Sequence, residues 1–107
     1  MDDVIKLISQ AFVKDKYGVS KPTLVYNEIF CQIHSVTKQE FYDAGRNGLN
    51  PAFQVTIFAA EYNGESMLKY QEKTYSIYRT YHVPGTDYME LYVERKGGTN
   101  GQQESQP

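Results

Sequence analysis

The stretch Phe53-Gln54-Val55-Thr56-Ile57-Phe58-Ala59-Ala60, with Tyr62-Asn63-Gly64-Glu65 behind it, decides the fold class. Phe53, Val55, Ile57 and Ala59 alternate against Gln54, Thr56, Phe58 and Ala60, the period of two expected of a half-buried strand. Asn63-Gly64 is the strongest short hairpin signal, so this strand is expected to pair antiparallel with Ser66 to Tyr70. The chain then turns at Gln71-Glu72 into Lys73 to His82. Val83-Pro84-Gly85-Thr86-Asp87 turns it again into Tyr88 to Lys96, giving a meander of hairpin-linked strands.

Working back towards the amino terminus, Val4 to Lys14 places Ile5, Leu7, Ser9, Ala11 and Val13 on one face until Asp15-Lys16-Tyr17-Gly18 breaks the run. From Thr23 to Ser35, Val25, Ile29, Cys31 and Ile33 oppose Tyr26, Glu28, Gln32 and His34. Asn27 falls on the apolar side and is expected to mark a bulge. Strands of this length with one apolar face and tight turns predict an all-β fold, a small antiparallel barrel whose closure removes exposed edges.

One segment departs from this pattern. Val36 to Pro51 reads as a short helix and a glycine-rich loop between the second and third strands. Thr37 and Glu40 form a capping-box pattern: the threonine hydroxyl accepts from the Glu40 amide while the glutamate reaches back to the Thr37 amide. Gly45, Asn47-Gly48 and Asn50-Pro51 then stop the helix early and launch a strand. The segment's charges, Lys38 and Arg46 against Glu40 and Asp43, cancel.

With 107 residues the chain has room for one domain, placed at residues 1–96. From Gly97 to Pro107 no aliphatic or aromatic side chain occurs, and that polar tail is expected to be disordered. A net charge of -2 and a pI near 5.6 exclude the strongly basic surface that drives duplex binding through counterion release. Cys31 is the only cysteine, so neither an internal disulfide nor a cysteine-based zinc site can form, and a buried strand position is expected for it. No apolar run approaches a membrane span, and Met1-Asp2-Asp3 is acidic where a signal peptide is basic.

Of ten tyrosines, Tyr70, Tyr75, Tyr78, Tyr81, Tyr88 and Tyr92 lie in the last two hairpins. Alternation puts Tyr75 and Tyr81 with Ile77 and Val83, and Tyr78 on the other face with Thr80 and His82. That second face suits a protein interface; a base-stacking platform is the weaker reading, because Lys69, Lys73 and Arg79 are offset by Glu72, Asp87, Glu90 and Glu94. His34 and His82 have no metal-ligand spacing around them, and the carboxylates have no reason to share a low-dielectric pocket. Arg79, in the middle of an aromatic strand, calls for an ion-pair partner. No catalytic residues, metal or cofactor are expected.

Three groups of residues carry a further likeness. The run Ile29-Phe30-Cys31-Gln32-Ile33-His34-Ser35-Val36, then Glu40-Phe41-Tyr42 with Ala44-Gly45, and the closing Tyr75-Ser76-Ile77-Tyr78-Arg79-Thr80-Tyr81 and Met89-Glu90-Leu91-Tyr92-Val93, resembles phage head-closure proteins. These are the head-tail joining, adaptor or stopper proteins of long-tailed phages. The resemblance spans residues 1 to 96. It implies a structural virion protein that is a monomer before assembly, made in the host cytoplasm and built into the head-tail connector. There it would form a homo-oligomeric ring beneath the portal-adaptor ring, meet a tail-completion or tail-terminator protein, and gate the passing genomic DNA. It also implies that Gly45, Arg46, Asn47, Gly48, Leu49 and Asn50 face the channel, with Tyr78, Tyr81, Tyr88 and Tyr92 at interfaces. A single-stranded nucleic-acid-binding barrel and a tail-completion protein are the alternatives.

Overall fold

The computed structural model describes residues 2–95, so the expected polar tail lies outside the described residues. The elements are β1 (Asp3–Lys14), β2 (Ser20–His34), α1 (Lys38–Arg46), β3 (Pro51–Phe58), a 3-10 turn (Ala59–Glu61), β4 (Met67–Tyr70), β5 (Lys73–His82) and β6 (Tyr88–Arg95). The strands close an antiparallel barrel in the cyclic order β1-β2-β3-β6-β5-β4. Alternation along each strand aims Ile5, Leu7, Ile29, Cys31, Val55, Ile57, Leu68, Leu91 and Val93 into a common core with Tyr75. Phe53 packs its ring edge-on against Tyr70 at 5.5 Å and Tyr75 at 4.6 Å, sealing one end. Cys31 is fully buried, as expected, and burial followed by the Asp3 carboxylate pushes its thiol pKa up to about 11.

The meander of β4, β5 and β6 forms as expected. The hairpin at Asn63-Gly64 does not: β3 pairs with β2 and β6, while β4 pairs with β1 and β5. A two-residue type I′ turn needs positive φ at both central residues, and only Gly64 has it, at +85°. Ala59 and Ala60 leave the strand for the 3-10 turn, and the chain crosses the end of the barrel to reach β4. Glu65 holds this crossing, its Oε1 accepting from the Asn63 amide at 2.7 Å while its carbonyl accepts from the Tyr62 hydroxyl at 2.6 Å. The type I′ geometry lies instead at Gln71 and Glu72, with φ of +50° and +66°.

Two further expectations are corrected. Asn27 is no bulge; it pairs with Leu7 in an unbroken β1–β2 register running from Asp3↔Cys31 to Lys14↔Ser20. A register shift falls instead between Ile77 and Arg79, where Ile77 opposes Val93 but Arg79 opposes Tyr92. The extra residue, Tyr78, reverses the alternation beyond it. Tyr81, opposite Glu90, therefore shares a face with Arg79 rather than with Ile77.

β1 and β2 are longer than the barrel. β1 pairs with β4 only over Lys6–Ile8, and β2 with β3 only over Gln32–His34. Beyond these, Ser9–Lys14 and Ser20–Val25 pair solely with each other, making a two-stranded arm that extends from one rim. Its tip is locally ordered: Asp15 Oδ1 accepts from the amides of Tyr17 at 2.8 Å and Val19 at 3.0 Å, and Gly18 takes a φ of +79°. Antiparallel pairing puts the ends of β3 and β5 and the start of β6 at the same rim as the arm. The joints leading into α1 and out of it lie at the opposite end.

Candidate functional site

Two features stand outside the barrel: α1, pinned to the wall, and the arm. α1 begins where Thr37 Oγ1 accepts from the Glu40 amide at 3.1 Å. Only this half of the capping box forms, because the Glu40 carboxylate turns to the barrel. It accepts from the Tyr78 hydroxyl at 2.8 Å and from the Arg79 guanidinium at 2.5 Å. Arg79 lies 3.9 Å over the Tyr92 ring, and the Tyr92 hydroxyl donates to Glu90 at 2.7 Å. The bulge makes this possible, since it brings two successive side chains of β5, Tyr78 and Arg79, to one carboxylate. Ala44, one turn after Glu40, is buried beneath the helix.

These contacts fix the chemistry of the seam. Burial, then the Glu40 hydrogen bond and charge, hold the Tyr78 hydroxyl well above the usual tyrosine range. Burial and the Glu90 carboxylate push Tyr92 up to about 12. Both phenols are therefore donors rather than acids, and Arg79 has the ion-pair partner its position called for. Glu40 is matched with a barrel residue and Asp43 is bridged to Arg46, which leaves Lys38 without an ion-pair partner among the described residues.

The loop expected at Gly45 to Asn50 is shorter than the sequence implies. Gly45 and Arg46 are the last residues of α1, since one glycine is tolerated in a final helical turn. The chain stops at Asn47, whose amide donates to the Ala44 carbonyl at 3.0 Å, and at Gly48, which takes a φ of +79°. Leu49 donates its amide to the Ala44 carbonyl within the insert, and Asn50 donates its amide to Glu94 Oε1 at 3.0 Å, which ties the exit of the insert to β6.

The four tyrosines assigned to interfaces separate into two pairs. Tyr78 and Tyr92 lie 6.4 Å apart inside the seam, where Tyr92 is buried. Tyr88 stacks on Phe58 at 5.1 Å on the rim, and Tyr81 is exposed on the wall. All four lie on the outer wall of β5 and β6, two of them beneath or beside α1 and two outside it. Among the described residues no cluster of histidine, cysteine or carboxylate could hold a metal ion.

The role of Glu40 and the arm were not legible in advance. Tyr78-Arg79, two large polar residues in succession on a strand, was the signal for the bulge. Phe12-Val13 and Leu24-Val25-Tyr26 put apolar side chains on both faces of one ribbon, which signals a strand covered on neither or both. In the arm Phe12 is 70% and Val13 54% exposed, so the described residues cover neither face there.

No family model and no curated protein matches the chain in sequence. In structure it is similar to protein SF1141 from Shigella flexneri 2a, solved in solution, with a TM-score of 0.70 over 91% of this chain and 94% of that one. At 13% identity that similarity shows a shared fold.

Proposed function

We propose that this protein closes the phage head after DNA packaging and joins head to tail, as a ring beneath the portal and adaptor that gates DNA passage. The observation that carries the reading is the insert between β2 and β3. Its helix is held on the barrel wall by the Glu40 carboxylate and by buried Ala44, and its exit turn, Asn47–Asn50, is tied to Glu94 at the end of the barrel away from the arm. A segment held this way is a two-position device. With Glu40 on Arg79 it lies along the wall; with that contact and the Asn50–Glu94 hydrogen bond released, Gly48 and the joints at either end let it swing inward at small steric cost. Repeated around a ring, even a short turn can occlude an axial channel.

Supporting this are the motif resemblance over residues 1 to 96, the small closed barrel and the tyrosine-rich surface. The role is structural, with no catalysis and no cofactor. Tyr78 and Tyr92 are committed to the seam, which removes half of the aromatic face that a nucleic-acid platform would use.

The test is electron microscopy of particles from a lysate in which the gene is disrupted, with the wild-type copy restored as control. Heads that fill and then empty, beside finished free tails, are expected. Normal tailed particles would refute the reading.

A further inference from the structure

We infer that the β1–β2 arm of one copy docks into the rim cleft between β3, β5 and β6 of a second copy, head to tail. This deepens the ring of the head-closure reading by naming its subunit contact. The arm carries apolar side chains that the described residues leave exposed, Phe12, Val13 and Tyr17 among them. Six residues of β1 beyond the barrel, at about 3.3 Å each, give it a reach of about 20 Å. An apolar ribbon of that size on a folded chain marks an interaction surface.

Charge selects the occupant. Near the tip, Lys21 is matched by Asp15, which leaves Lys14 and Lys16 without an ion-pair partner among the described residues. At the rim, Phe58 stacked on Tyr88 walls a cleft that also holds Ala59, Ala60, Glu61, His82 and Asp87. Glu61 and Asp87 have no ion-pair partner among the described residues. An apolar arm with two cations that lack ion-pair partners, Lys16 resting over the Tyr17 ring, thus faces, on another copy, an apolar cleft with two anions that lack them.

The topology fits. In the cyclic strand order β6 stands three places from β1, so arm and cleft lie across the barrel from each other, yet at the same rim. A chain cannot fill its own cleft with its arm, but neighbours can, and every copy then faces the same way about one axis. That is the heterologous contact from which closed rings are made. Pro22 on one outer edge of the arm removes a ladder amide, which disfavours the competing edge-to-edge strand pairing.

Disulfide trapping in purified full-length protein tests the contact without touching its charges. Val13→Cys and Ala60→Cys chains, carrying tags of different mass, are mixed at high concentration and oxidised; buried Cys31 stays silent. The expected result is a mixed dimer several-fold above a Val13→Cys and Lys73→Cys control, with neither variant cross-linking to itself. Reversing the arm with Lys14→Glu and Lys16→Glu should cut the yield about two- to fivefold per charge, and Glu61→Lys with Asp87→Lys on the partner should restore it. A mixture no better than the control, Val13→Cys chains that pair with each other as readily, or a yield indifferent to charge reversal overturns the inference. The readout is association of purified protein, so its failure leaves the particle phenotype as a separate question.

Discussion

The two halves of the β1–β2 ribbon share one register and one kind of sequence, yet meet opposite fates. In the barrel half, Ile5, Leu7, Ile29 and Cys31 are between 0% and 5% exposed; in the arm half, Phe12, Val13, Leu24 and Val25 range from 44% to 70%. The hydrogen bonds between the strands are continuous through both. What differs is lateral company: β4 and β3 flank the ribbon only near its base. Alternation therefore makes the strands, whereas neighbours make the core. A third region, the α1 seam, lies between these extremes, ordered by a few polar contacts to the wall rather than by apolar burial.

The largest expected effect sets the two halves directly against each other. Leu7→Ala should cost about 2–5 kcal/mol in urea unfolding, because it empties a fully enclosed site. Leu24→Ala in the arm should change stability by no more than about 0.5 kcal/mol. If Leu24→Ala cost as much as Leu7→Ala, the arm would be part of the folding core and the contrast would fail.

Next comes the seam. Glu40→Ala strips the partner from both Tyr78 and Arg79, and a loss of about 1 kcal/mol is expected, held down by the half-exposed Arg79. The loss should be local: amide exchange in Lys38–Arg46 should quicken while that of Leu91 and Val93 stays slow. Exchange rising equally throughout the barrel would mean that the helix is integral to the core.

A gain of similar size is expected at Gln71 and Glu72, both held at positive φ without glycine. Replacing the pair with Asn-Gly should stabilise the barrel by about 1 kcal/mol, raising Tm by about 4–8 °C. The same measurement on the arm's own turn, Asp15–Gly18, offers no such gain, since glycine already occupies its positive-φ position.

The smallest effect is confined to alkaline pH. Burial raises Tyr92 to about 12 and lifts Tyr78 above its ordinary range, so both hold their protons more tightly folded than unfolded. The unfolded chain loses those protons first, so stability is fully present below about pH 10 and falls as pH rises from there towards about 12. Tyr92→Phe should flatten that fall in a melting series across the range. An unchanged slope would show that the seam does not shield this phenol.

Local chemistry is written in short runs of residues. Period-two runs gave the strands and the inward positions Ile5, Leu7, Ile29, Cys31, Val55 and Ile57, and Thr37, Asn47 and Gly48 bounded the helix. Glu40 was visible as a capping residue, but its barrel partners stand 38 and 39 positions away, beyond any local pattern. Which strands are neighbours follows from long-range packing. A turn signal such as Asn63-Gly64 reports the conformation of two residues, while β3 chooses its partners by where Val55 and Ile57 can be buried. The same holds for the bulge at Tyr78 and for the uncovered arm. Backbone preference and side-chain alternation belong to a few adjacent residues; pairing, closure and exposure depend on contacts between segments far apart in the chain.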